Sequence, residues 1–302
     1  MRFLVVLLVF GCLQVQASEN LSDHEQFCET MQETSCEHYL QQQLAALPAH
    51  SANWYRVQGF YLDYLYDKHQ FEELKTQVES ILPQPNLPEV LKVQLYFYYA
   101  KVLFYFEQPE AAKHYAGLAQ HVLQEVYDSF GNPLRLVELA NLYYTLNELN
   151  EAEKLLRFTQ SHYLKSRDPL FLFELASNLA LIHHSRQDLQ GAAQFREEAL
   201  LAAQQLGHAG KLIVAMGNLA RTYQLLGQFA QAQRLYEASL TYTSAPEYSK
   251  QHSIYLLRLA ELGMQQHQLD LAKQYLAQVK PEQLAAGHLT LFKQLAAQLG
   301  GI

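Results

Sequence analysis

Several things are scarce in this chain, and each absence excludes a class of function. Beyond the first residues there is no apolar run long enough for a membrane helix. There is no G-x-S-x-G, no phosphate-cradling Walker loop, no dinucleotide fingerprint and no H-E-x-x-H. Basic clusters are missing too: 22 Lys and Arg face 30 Asp and Glu, for a net charge of -8. Nucleic acid and anionic membrane surfaces are poor partners for such a chain. Cysteine occurs three times in 302 residues and tryptophan once. Tyrosine and phenylalanine, by contrast, number 20 and 15. Stacked helices consume aromatics in their cores, so this richness alone marks no site.

The remaining polar residues offer no catalytic constellation. His183 and His184 are adjacent, and neighbours on a helix point about 100° apart, so they cannot grip one metal together. His183 is expected to pack in the core. His114 and His121 share a helix face with Glu110 one turn before, a spacing that suits a weak metal site at most. Glu197 and Glu198 read as an exposed helix face. The expectation is a protein that is not an enzyme, with no catalytic residues, no metal and no cofactor.

The N-terminus reads MRFLVVLLVFGCLQVQA. One basic residue, Arg2, precedes an apolar run from Phe3 to Leu13, and Val15 and Ala17 stand at -3 and -1 before Ser18. This is the pattern of a secretory signal peptide over residues 1–17, too short to span a bilayer. Cleavage removes Arg2 and leaves a mature charge of about -9. Val9-Phe10-Gly11-Cys12 offers an alternative, a lipoprotein box acylated at Cys12, although Phe10 suits that box poorly. Cleavage near Ala17 into the periplasm is the preferred reading. Two cysteines then remain, Cys28 and Cys36, and an even pair in an exported chain favours a disulfide. On one continuous helix their Cα atoms would stand ~12 Å apart, beyond the ~7 Å that a disulfide tolerates. A bond therefore requires a helix break between them, and the capping box Thr34-Ser35-Cys36-Glu37 would start a new helix there. Two free buried thiols are the other reading.

The dominant positive signal is a grid of alanines. Ala112, Ala152, Ala192, Ala232 and Ala272 recur every 40 residues, and Ala100, Ala140, Ala180, Ala220 and Ala260 stand twelve positions before them. A repeated helical hairpin needs small residues where its two helices touch, at the same two places each time. In AMGNLARTYQLLGQFAQAQRLYEASL, residues 215–240, Leu219, Ala220 and Tyr223 share one face. Gly227 breaks the helix, and Phe229, Ala232, Leu235, Tyr236 and Ser239 form the opposing face.

This segment resembles the tetratricopeptide repeat (TPR), with Leu219-Ala220, Tyr223, Gly227, Ala232 and Tyr236 on the family positions. Leu139-Ala140, Tyr143, Asn147 and Ala152 repeat the pattern, with Asn147 at the turn glycine. In Leu179-Ala180, His183, Gln187 and Ala192, Gln187 replaces that glycine and Arg196 takes a later aromatic position. Tyr99-Ala100 with Ala112, and Leu259-Ala260 with Ala272, add two copies, and residues 53–82 carry a degenerate one with Phe71 and Leu74 on its second helix. The 40-residue period resembles kinesin-light-chain-like TPRs rather than the 34-residue standard. The resemblance implies an all-α, right-handed solenoid of about six TPR-like hairpins. Residues 18–50 form an N-terminal hairpin, 51–280 the solenoid, and 281–302 a C-terminal capping helix. Pro83, Pro85 and Pro88 mark a longer linker after the first hairpin.

The resemblance also implies a groove walled by the first helix of each pair. Its wall positions read Tyr98, Glu138, Asn178, Asn218, Arg258; then Lys101, Asn141, Leu181, Arg221, Glu261; then Phe104, Tyr144, His184, Gln224, Met264. In TPR–peptide complexes Asn at such positions holds a peptide backbone and Lys or Arg a carboxylate. That assigns Asn141, Asn178 and Asn218 to the backbone, and Lys101, Arg221 and Arg258 to charge. Tyr98, Phe104, Tyr105 and Tyr144 form an aromatic end, and His184 completes the wall. The asparagines have another reading, as solvated residues or as bonds to the next repeat. The implied function is a periplasmic adaptor or scaffold for a peptide or protein partner from the envelope. The alternative is a sensory or regulatory module for a small peptide or metabolite.

Overall fold

The computed structural model describes Cys28 and residues 33–300. The signal-peptide reading of residues 1–17 and the acylation reading of Cys12 lie outside the described residues. Among those described, the secondary structure is α-helical with two short 3-10 turns and no strand. Helix α1 (Glu33–Ala46) comes first. Six hairpins follow: α2 (Ala52–Asp67) with α3 (Phe71–Ile81), α4 (Glu89–Tyr105) with α5 (Pro109–Phe130), and α6 (Pro133–Thr145) with α7 (Leu149–His162). The next are α8 (Pro169–Ser185) with α9 (Leu189–Leu206), α10 (Ala209–Leu225) with α11 (Phe229–Tyr242), and α12 (Ser249–Gln265) with α13 (Leu269–Leu276). Helix α14 (Ala286–Gln298) closes the far end. Together the hairpins form an α-solenoid with a helix capping its far end.

The alanine grid is where the paired helices meet. All ten alanines are at most 1 % exposed. In the last hairpin the approach is close: a Cβ built on Gly263 would stand 3.0 Å from the Ala272 Cβ. Larger residues fill the space between repeats. Phe171, Leu179 and Leu156 pack with Ala140, Ala152 and Ala180, and Tyr236, Leu259 and Leu262 pack with Ala220 and Ala232. Each hairpin thus buries its face against its neighbours, as solenoids require. The cap does the same at the end, where Leu295 and Leu299 cover Leu256, Leu257 and Leu276.

The turns repeat as strictly as the alanines. His69, Glu107, Asn147, Gln187, Gly227 and His267, one per hairpin, all have φ between 56° and 73°. The residue after each donates its N–H to a carbonyl five residues back at 2.7–2.9 Å, a Schellman closure of the first helix. Only Gly227 among the six is glycine, so five side chains sit in a conformation that costs an L-residue roughly 1–2 kcal/mol. Gln187 is exposed and its side chain makes no bond among the described residues. Gln187→Gly should therefore raise stability by about 0.5–1 kcal/mol, after the extra chain entropy of glycine is subtracted. A urea melt that shows no gain, or a loss, would refute this account of the turn.

Cys28 and Cys36 are bonded, with Cα atoms 4.9 Å apart. The separation is far below that of a continuous helix, as the sequence argument required. The start of the helix differs from the expected cap, however. Helix α1 begins at Glu33, so Thr34 already lies in its first turn and is not the capping residue. Cys36 and Leu40 are buried against Tyr61, Leu62 and Leu65 of α2, which ties this first helix to the solenoid.

Candidate functional site

The first helices of the hairpins wall a cavity of about 920 Å³. Phe60, Asp63 and Tyr64 come from α2, Tyr98 from α4, and Asn141 from α6. Glu174, Ser177, Asn178 and Leu181 come from α8, and Lys211, Val214 and Asn218 from α10. Cys28 and Cys36 lie at one edge, and Tyr248 and Gln251 at the other. Residues from Cys28 to Gln251 thus share one concavity, whose surface mixes aromatic, amide and charged groups.

The cavity brings together four of the residues assigned from the sequence: Tyr98, Asn141, Asn178 and Asn218. Lys101, Phe104, Tyr144, His184, Arg221 and Arg258 are not on its lining. Lys101 and the two lining asparagines Asn141 and Asn178 are tied into a ladder of bonds between successive first helices. Lys101 Nζ donates to Asn141 Oδ1 at 2.6 Å, and Asn141 Nδ2 donates to Asn178 Oδ1 at 2.7 Å. Asn178 Nδ2 donates in turn to the Glu174 carbonyl at 2.8 Å. The Lys101 ammonium also lies 4.2 Å from the Phe97 ring centroid and 4.8 Å from that of Tyr66. Farther along, Arg221 and Arg258 both grip Glu261, at 3.1 and 2.8 Å. The Tyr98 hydroxyl donates to Asp63, and Tyr144 shares a hydrogen bond of 3.1 Å with Ser185. The amides of Asn141 and Asn178 therefore hold repeat to repeat. Asn218 differs. Its residue is exposed on the cavity wall, and its side-chain amide makes no bond among the described residues.

The expected aromatic end does not assemble on the cavity. Tyr98 lines it, whereas Phe104 and Tyr105 face outward near the end of α4, 38 % and 62 % exposed. Tyr105 packs instead on Phe71, with ring centroids 4.7 Å apart. Sequence reasoning missed Glu174 and Val214. Each stands four residues before a predicted asparagine, one helical turn along the same face, and that spacing was the signal available.

His184 is off the cavity lining, and its buried Nδ1 has no hydrogen-bond partner among the described residues. Burial, and then the nearby Arg196 and Arg221 charges, push its pKa below the ordinary value for histidine. A histidine with a lowered folded pKa stabilises the fold fully above its unfolded pKa of about 6.5, and that contribution is lost as pH falls through 6.5 toward the folded value. His184→Gln should therefore flatten the stability loss seen in urea melts on going from pH 7 to pH 5.5. An unchanged pH slope in the variant would sink this assignment.

The other sequence candidates resolve into packing. His183 lies over Phe195, with centroids 5.0 Å apart, and its Nδ1 pairs with Asp188 at 2.7 Å. Arg157 donates to His183 Nε2 at 3.0 Å, which assigns the proton to Nδ1. Glu197 and Glu198 are exposed. His121 pairs with Glu125 at 3.5 Å. Among the described residues no three His, Cys, Asp or Glu side chains are grouped to hold a metal ion. No described helix is long and apolar enough to cross a membrane.

Comparison with known proteins agrees with this architecture. Residues 171–243 match the tetratricopeptide repeat family. The apo form of RapI superposes with a TM-score of 0.54 at 12 % identity, over 88 % of this chain and 80 % of that one. A Rap protein complexed with competence and sporulation factor gives 0.52 at 15 % identity, over 88 % and 81 %. The kinesin light chain TPR-like repeats of Podosopora anserina give 0.50 at 17 % identity, over 71 % and 99 %. At these identities the likeness is one of fold. No curated protein sequence matches significantly.

Proposed function

We propose that this TPR solenoid is a non-catalytic periplasmic adaptor. Its concave cavity takes an extended or helical segment of a protein partner, an envelope component. The observation that carries the reading is the cavity itself: about 920 Å³, walled by first helices, with apolar and unbonded amide groups side by side. Val214, 48 % exposed, offers apolar contact, and Asn218 one turn away offers a donor and an acceptor to a peptide bond. The complex of a Rap protein with a factor supports it by analogy of fold alone. Export rests on the signal-peptide reading of residues 1–17 and on the Cys28–Cys36 bond, which suits an oxidising compartment. In this reading residues 18–50, 51–280 and 281–302 serve as N-terminal hairpin, solenoid and cap.

The test is a pull-down from envelope extract with the mature protein and Val214→Glu side by side. An exposed position tolerates the substitution, and a carboxylate would stand on the apolar part of the wall. A partner kept by the native protein and lost by the folded variant supports the adaptor. A partner held equally by both removes the cavity as its site. A second reading has its own support: 920 Å³ also falls within the roughly 300–1,000 Å³ of small-ligand pockets. A sensory module for a small peptide or metabolite would recover no partner, and such ligands would raise its melting temperature.

A further inference from the structure

Between α8 and α10 the wall is thin. The first helices α2 and α4, α4 and α6, α6 and α8, and α10 and α12 lie alongside one another, whereas α8 and α10 form the loosest of these seams. Through this gap two residues of the second helix behind it, Arg196 and Ala199 of α9, reach the cavity lining. Arg196 is only 8 % exposed. Its Nη1 donates to the Asn218 carbonyl at 3.0 Å and to the Thr222 hydroxyl. Both acceptors are neutral. No carboxylate lies within ion-pair distance among the described residues, although Arg135, Arg157, Arg186, Arg221 and Arg258 each have one. Nε and Nη2 have no acceptor at all among the described residues.

A buried guanidinium without a counter-charge is costly. The sequence pattern puts an aromatic at this position, so packing does not demand the charge. The unused edge matters as well. Nε–H and one Nη2–H run parallel, and that edge matches the two oxygens of a carboxylate. The cations on the first helices are poorer candidates, because Lys101 is bonded to Asn141 and the Arg221–Arg258 pair to Glu261.

We propose that the α8/α10 seam is a subsite for one carboxylate of the bound segment, gripped side-on by Nε and Nη2 of Arg196, with the Asn218 amide beside it on the wall. This rests on the reading of the cavity as a peptide site and adds the chemistry of what enters it: a free C-terminus or an acidic side chain.

The subsite can be tested without knowing the partner. The mature protein, labelled with ¹⁵N-arginine, is titrated with N-acetylglycine, with N-acetylglycinamide and with inorganic phosphate, and the arginine Nε–Hε resonances are followed by NMR. Arg196→Met and Arg196→Lys identify the Arg196 resonance, either one sufficing if the other fails to fold. The expected result is a saturable shift of that resonance with N-acetylglycine and none with the amide. No shift, an equal shift with the amide, or a shift with phosphate alone overturns the assignment. If the pull-down supplies a partner, Arg196→Met should weaken its binding by about tenfold or more. A partner that binds this variant as tightly as the native protein overturns the subsite but leaves the adaptor standing. A saturable Arg196 response with no recoverable partner supports the subsite and counts against the adaptor.

Discussion

Ala232→Leu should lower the stability of the solenoid by about 2–3 kcal/mol, the upper range for overpacking a filled core. Ala232 is fully buried where α11 meets α10, in one cluster with Ala220, Tyr236 and Leu259. Three added carbons have nowhere to go, because the facing position is itself an alanine held in a helix. The two helices must part, and the contacts of Tyr236 and Leu259 are lost with them. Ala238 lies on the same helix but is exposed. Ala238→Leu is therefore the control, with an effect within about 0.5 kcal/mol. Because each repeat touches only its neighbours, the damage should be local and the urea transition should broaden or split. Equal effects of the two substitutions would mean that the grid does not mark the helix contacts.

The same alanines explain how much of the fold was legible beforehand. A residue that must be small to let two backbones approach leaves a trace at a fixed period, and every copy of that trace proved to be a helix contact. The turns were harder to read. Asn147, Gln187, Glu107 and His267 share the left-handed backbone of Gly227, yet only Gly and Asn advertise it by type. What closes the other turns is the chain on either side, with its Schellman bonds. The wall was legible in position but not in purpose. The family pattern put Asn141 and Asn178 on one wall, and both line the cavity. It could not reveal that their amides lie within 2.7 Å of one another across two repeats, because that depends on how hairpins stack. Arg196 showed in the sequence only as a departure from the aromatic of the repeat, and its place on the cavity was not legible. It belongs to a second helix, and only the loose α8/α10 seam exposes it.

The asparagines therefore divide into two roles, and substitution should separate them. Asn141→Ala removes the acceptor of Lys101 and the donor to Asn178 Oδ1 in one step. Lys101 keeps the Tyr66 hydroxyl at 3.2 Å, which softens the loss. The remaining cost is one charge-assisted bond and an orphaned amide oxygen on the buried Asn178, about 2 kcal/mol. Asn178→Ala should cost a similar amount, and the double variant less than the sum of the two, since both singles break the same bond. Asn218→Ala should leave stability within about 0.5 kcal/mol, because its amide makes no bond among the described residues. If the cavity binds a peptide, binding should respond in the opposite order: strongly to Asn218, and to Asn141 only through lost stability. Urea melts and partner binding measured on the same four proteins would show it. An Asn218 variant that loses stability while Asn141 does not would reverse the assignment of wall and ladder.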